Sequence, residues 1–194
     1  MEDLSREIQE SGWPEIESLM QSCQDCSLFE EATQAVPGLQ LSNSVSIMFV
    51  GEGPGFNEDK TGRPFVGRAG VLLQELLIEL DAVKLGVYIT NVVKHRPPNN
   101  RKPTVQEMSI CGTKFLAEEV KLCEPKVIVC LGRTPAEYLL RASELEHSGS
   151  LRGHNFVYNN TPVICTWHPA YILRQMNRYQ ELKDDIVRAI DIVL

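Results

Sequence analysis

Residues 45–55, VSIMFVGEGPG, decide the fold. Val45 to Val50 is a short apolar run, and Gly51, Gly53 and Gly55 follow it at once. A run of this length bounded by turn residues reads as a buried strand. Outward from it, helix and strand signals alternate. Arg68 to Leu80 carries Leu72, Leu73, Leu76 and Leu77 on one helical stripe. Val87 to Val93 reads as a second strand and Lys126 to Leu131 as a third. Between them a helix is predicted from Val105 to Leu122, opened by the capping-box pair Thr104 and Glu107. Thr134-Pro135-Ala136-Glu137 signals the next helix, with Pro135 at the first helical position. Phe156 to Tyr158 and Val163 to Thr166 read as a strand pair joined by Asn159-Asn160. Arg178 to Leu194 closes the chain as an amphipathic helix. At the other end, residues 3–22 are helical in pattern with a break at residues 11–14, and Cys23 and Cys26 follow in a turn.

Strands alternating with helices imply an α/β fold, with a mostly parallel sheet covered on both faces. The 194 residues suit one domain, with segment 1–40 packed onto it. In such sheets ligands bind at the carboxyl ends of the strands. Gly51–Gly55 follows the first strand, Asn91 ends the second and His168 follows the last, so three distant segments are expected on one rim. Hydrophobic residues make up 43% and charged residues 23%, as in a globular protein. No apolar run approaches the ~18 residues of a membrane span. The acidic start, MEDLSREIQESGW, is unlike a secretion signal, so a cytoplasmic location is expected, close to the nucleoid. The chain is also expected to act as a monomer. A net charge of −7 argues against a protein that coats nucleic acid, yet Lys94, Arg96, Arg101 and Lys102 form a local basic run without an acid.

Several residues along this rim can carry chemistry. Glycines after a strand let backbone N–H groups approach a ligand, although 51–55 would serve equally as a tight turn. Phe65, held between Pro64 and the Val66-Gly67 step, can offer its ring as a stacking platform or plug the core. The amide of Asn91 donates and accepts at once, which suits a pyrimidine edge, and a turn residue would look the same. Pro169 pins the backbone after His168, whose imidazole could donate to an oxygen that gains charge. Six cysteines in a cytoplasmic chain point away from disulfides. The Cys23-x-x-Cys26 pair has ligand spacing. Cys111 is a third candidate ligand, with His95 or Cys123 as the fourth for zinc or an iron–sulfur centre. Cys130 and Cys165 fall inside apolar strands and read as buried hydrophobes.

Taken in order, these stretches resemble one family. Cys-x-x-Cys at 23–26, GEGPGFNEDKTGRPFVGRAG at 51–70, NVVKHRPPNNRKPT at 91–104, Cys111 and HPAYILR at 168–174 are similar to the iron–sulfur, or family 4, uracil-DNA glycosylases. The resemblance implies a three-layer α/β/α sandwich and excision of uracil from DNA, leaving an abasic site. Glu52 and Gly53 would then place the catalytic water and the sugar. Phe65 would stack on the flipped uracil, Asn91 would read its edge, and His168 would stabilise the leaving anion at O2. Glu58 and Asn100 would form a supporting pair. Lys94, Arg96, Arg101 and Lys102 would grip phosphates. Residues 170–174, with Tyr171 and Arg174, would enter the duplex. A 4Fe-4S cluster would be held by Cys23, Cys26, His95 and Cys111, with His95 standing where the family usually has a cysteine. That histidine also resembles a branch that crosslinks to uracil DNA. The branch's extra basic loop is missing here, so turnover is expected. A uracil-DNA binder without cleavage and an iron–sulfur redox sensor are the rival readings.

Overall fold

Five-residue apolar runs become strands because side chains that alternate across the pleat can be buried on both faces. The computed structural model describes residues 13–140, 145 and 151–194. The helical pattern expected for residues 3–12 lies outside them. Six strands form one sheet: β1 (Leu39–Gln40), β2 (Ile47–Gly51), β3 (Val87–Asn91), β4 (Val127–Leu131), β5 (Phe156–Tyr158) and β6 (Thr161–Thr166), in the order β1-β3-β2-β4-β6-β5. The four inner strands are parallel, and β1 and β5 pair antiparallel at the edges. Register sets Gly51 beside Asn91 and Leu131 beside Thr166, which brings the carboxyl ends of the inner strands level.

The helices are α1 (Trp13–Gln21), α2 (Phe56–Thr61), α3 (Arg68–Glu79), α4 (Val105–Cys111), α5 (Ala117–Cys123), α6 (Arg133–Leu139), α7 (Pro169–Ile172) and α8 (Tyr179–Val193). Period-two alternation divides the sheet between two cores. Met48, Val50, Ile128, Cys130, Val163 and Cys165 face one side, where Trp13, Met20, Met108, Leu116 and Leu139 cover them. Ile47, Phe49, Val129, Leu131 and Ile164 face the other, under Leu73, Leu77, Leu182 and Ile186. The family resemblance implied this three-layer arrangement, and the chain has it.

Local signals and local structure differ in three places. The edge strand β1 has two residues, too few to show a period. The continuous helix expected from Val105 to Leu122 is interrupted by a π turn at Gly112–Leu116. There Gly112 lies flush against Tyr138, so that a Cβ would stand 2.4 Å from its ring. Helix α6 starts at Arg133 on Gly132, whose φ of 92° suits only glycine, and the Thr134 hydroxyl is used elsewhere. Two expectations are met closely. Thr104 and Glu107 form the capping box, and Asn159 and Asn160 take left-handed conformations between β5 and β6.

Candidate active site

At the carboxyl ends of β2 and β3, Gly51 is the floor on which the site is built. A Cβ there would stand 2.4 Å from Asn91 Oδ1 and 2.6 Å from Phe65 Cζ. Only the missing side chain lets those two groups meet. Phe65 itself has a φ of 53°, a rare conformation for a bulky residue that costs about 1–3 kcal/mol. Two features hold it there. Gln74 Nε2 donates to the Phe65 carbonyl at 2.8 Å, and Gly70 leaves room for that carbonyl, since a Cβ would stand 1.9 Å from it. The loop from 62 to 67 is thus folded back onto the start of α3, and its ring is turned toward the strand ends.

Asn91 is buried at the end of β3. Among the described residues no protein group bonds its side-chain amide, which borders an open cavity. His168 caps α7: Pro169 occupies the first helical position, and His168 Nδ1 accepts from Ala170 N at 3.1 Å. An Nδ1 that accepts leaves the ring proton on Nε2. Burial, helped by the charge of Arg174, lowers the His168 pKa to about 4, so the imidazole is neutral at pH 7. The Phe65 and His168 rings lie 6.4 Å apart and 28° from parallel. Glu52 accepts a hydrogen bond from Thr134 Oγ1, which fixes one carboxylate oxygen.

Glu52, Gly53, Glu58, Phe65, Asn91, Asn100 and His168 all line one cavity of about 260 Å³. That is just below the ~300–1,000 Å³ of sites for drug-sized ligands, and it leaves room for one small ring. A model of the uracil DNA glycosylase superfamily matches residues 40–191. The chain belongs to that superfamily. It is similar to the Type-4 uracil-DNA glycosylase of Thermotoga maritima, 43% identical over 89% of this chain and 88% of the relative. The Type-4 enzyme of Archaeoglobus fulgidus is 41% identical over 84% of each chain. That of Sulfurisphaera tokodaii is 42% identical over 84% of this chain and 77% of its own.

The glycosylase fold reassigns some residues singled out in the sequence. Lys94 does not reach phosphates. Its side chain has no exposure, and Nζ donates to Glu119 Oε2 at 2.7 Å, Thr90 Oγ1 at 2.7 Å and the Asn91 carbonyl at 2.9 Å. Tyr88 and Thr90 also donate to Glu119. Nor do Glu58 and Asn100 pair, although both line the cavity. Glu58 Oε1 accepts from Gly67 N at 2.7 Å, and Asn100 Oδ1 accepts from Arg96 Nε at 2.6 Å. Arg101 grips Glu107 with both terminal nitrogens, and Lys102 pairs with Glu137, so acids distant in sequence match these two cations. Tyr171 is half-buried with its ring 4.9 Å from that of Trp167, while Arg174 is exposed and has no ion-pair partner among the described residues.

The candidate metal ligands lie behind this rim. Cys23 and Cys26 follow α1, and Cys111 ends α4. The thiols lie close enough that ionisation of one would oppose ionisation of the next, and burial pushes the Cys111 thiol up to about 12. Lys94 N donates to Cys111 Sγ at 3.2 Å, and Lys114 Nζ lies 3.7 Å from Cys23 Sγ. His95 is buried next to Lys94, and burial lowers its pKa, favouring the neutral imidazole that can bind a metal. Cys123 sits instead beside Glu119 and Lys94, and burial pushes its thiol up. Among the described residues no three His, Cys, Asp or Glu side chains close on a single ion.

Sequence reading missed Gln74, Thr134 and Glu119. The first two act through single long-range bonds that leave no local pattern. Glu119 did leave one: it shares a helical stripe with Phe115, Leu116, Val120 and Cys123, and an acid on an apolar stripe needs a buried partner.

Proposed function

We propose that this chain excises uracil from DNA by hydrolysing its N-glycosidic bond, and leaves an abasic site. The observation that carries the reading is that Phe65, Asn91 and His168, from three distant segments, border one small cavity in which the Asn91 amide has no protein partner among the described residues. Such an amide matches the alternating carbonyl and N–H groups of a pyrimidine edge, and a site built that way rejects a base with another pattern. The target nucleotide leaves the stack, at a cost of a few kcal/mol, and its ring settles on Phe65. As the glycosidic bond breaks, charge collects on the departing uracil. His168 Nε2–H, already neutral and already aimed by Ala170 N, donates to its O2. Glu52, held by Thr134, orients the water that adds to C1′, and the proton this water sheds neutralises the uracil anion. Arg96 and Arg174 meet the DNA backbone, and the 170–174 segment fills the vacated stack.

Cys23, Cys26, His95 and Cys111 would hold a 4Fe-4S cluster. Three thiols near one another, with a backbone N–H and an ammonium group that bond sulfur, support this reading, and His95 directly follows Lys94, whose N–H bonds Cys111 Sγ. Such a cluster takes one protein ligand per iron, so its ligands stand apart rather than closing on one ion. When bound it would supply a covalent tie between the α1 turn, the 92–97 segment and α4.

An oligonucleotide with one uracil tests the reading. After incubation and alkali, the strand is expected to break at the uracil and nowhere else. An intact strand that stays bound would leave only a damage-binding protein. The floor of the cavity gives a second expectation. Gly51→Ala should keep the fold, read by circular dichroism, yet lower kcat/KM by at least about 10-fold, as expected from displacing groups by roughly an ångström. Its new methyl group would occupy the space where Asn91 and Phe65 meet.

A further inference from the structure

Resting on the uracil-DNA reading, we propose that Phe56 and Arg96 form a subsite for one nucleobase that flanks the extruded uracil on the same strand. Phe56 is the first residue of α2 and is 60% exposed. Its neighbour Gly55, together with Glu58, Pro97 and Asn100, lines the cavity, so the ring stands at the cavity's rim. The Arg96 guanidinium lies over that ring, its central carbon 5.2 Å from the centroid. Asn100 Oδ1 holds Arg96 Nε at 2.6 Å, and Asn100 itself is fixed in a left-handed turn with Asn99. Arg96 is therefore anchored at its face and at one nitrogen. Its two terminal nitrogens have no hydrogen bond and no acid among the described residues. The other three cations of the 94–102 run are each matched by a carboxylate, of Glu119, Glu107 or Glu137.

A phosphate alone would ask for a cation and would gain nothing from an exposed aromatic ring beside it. A nucleobase gains from both, because its π-face stacks on aromatic rings and on guanidinium planes alike. The pair is already ordered, so little side-chain freedom is lost when the base arrives. Chain connectivity supplies the occupant. Once one nucleotide is drawn into the cavity, the adjoining base on the same strand is held near the rim by a single phosphodiester link.

The test measures binding by fluorescence anisotropy. Short single strands carry one 2′-fluoro-deoxyuridine, which resists cleavage, with either purines or abasic spacers beside it. Phe56→Ala should weaken binding to the purine-flanked strand ~5- to 150-fold, the range for loss of one stacked base. Where the spacer replaces the neighbour that the subsite holds, the substitution should change nothing. Phe56→Trp should retain tight binding. Turnover at saturating uracil DNA should stay at the parent value, and the salt dependence of binding should not change. Equal weakening on purine and spacer strands would mean that the ring only shelves Arg96, and would overturn the proposal, as would no weakening at all. The two readings fail separately: a parent protein that binds uracil strands no better than thymine strands defeats the excision reading, whereas uracil-dependent binding that ignores Phe56 defeats only the subsite.

Discussion

Lys94→Met is expected to destabilise the fold by about 3–5 kcal/mol, the usual result of stranding one partner of a buried ion pair. Neither side chain of the Lys94–Glu119 pair has any exposure, so water cannot replace the lost ammonium. Denaturant unfolding of the parent and the variant measures the difference. The double variant Lys94→Met/Glu119→Gln separates two roles of the lysine. Glutamine still accepts from Tyr88 and Thr90 and carries no charge, so most of the stability should return. The Asn91 carbonyl, however, still lacks its 2.9 Å donor, and Asn91 is the residue proposed to read the base. The double variant should therefore regain stability while its KM for uracil DNA stays raised. If both recover together, Lys94 serves the core alone. The backbone N–H of Lys94 bonds Cys111 Sγ while its ammonium group bonds the Asn91 carbonyl, so the candidate metal ligands and the pocket share one residue.

Lys94 also shows where sequence stops speaking. In NVVKHR the lysine stands in a basic run, and charge along the chain assigned it to phosphate. Its partner is 25 residues away on helix α5, and only the packed fold brings the two together. The inner strands were legible as short unbroken apolar runs between turn residues, because both of their faces are buried, and most of the helices were legible through a period of 3.6. The convergence of Gly51, Asn91 and His168 was legible in turn, since parallel strands place their carboxyl ends on one edge. Phe65 was legible as a candidate but not as a strained residue, because its left-handed backbone depends on Gly70 and Gln74 making room and a bond for its carbonyl. The pairing expected for Glu58 and Asn100 failed through competition: Gly67 N and Arg96 Nε lie closer to hand.

Replacing His168 with alanine should lower kcat by ~100–1,000-fold, the loss typical of one preorganised donor to a developing anion. KM should change little, because the bond strengthens only as charge reaches O2. Unchanged excision by His168→Ala would end this assignment. The pH profile tells which form of the ring acts. With its folded pKa near 4, His168 stays a neutral Nε2–H donor from pH 8 down to about 5, so its part of the rate should be flat there and fall only as pH nears 4. A ring acting as an imidazolium acid would instead speed the reaction as pH falls through 6.5. Stability moves with the same group. In the unfolded chain the ring titrates at its ordinary value of 6.5. Between 6.5 and 4 the unfolded chain takes up a proton that the folded chain refuses. The contribution of His168 to stability is thus complete above 6.5 and is lost as pH falls toward 4. His168→Ala should remove that slope from the unfolding curve, and a slope that survives the substitution would assign the titration to another residue.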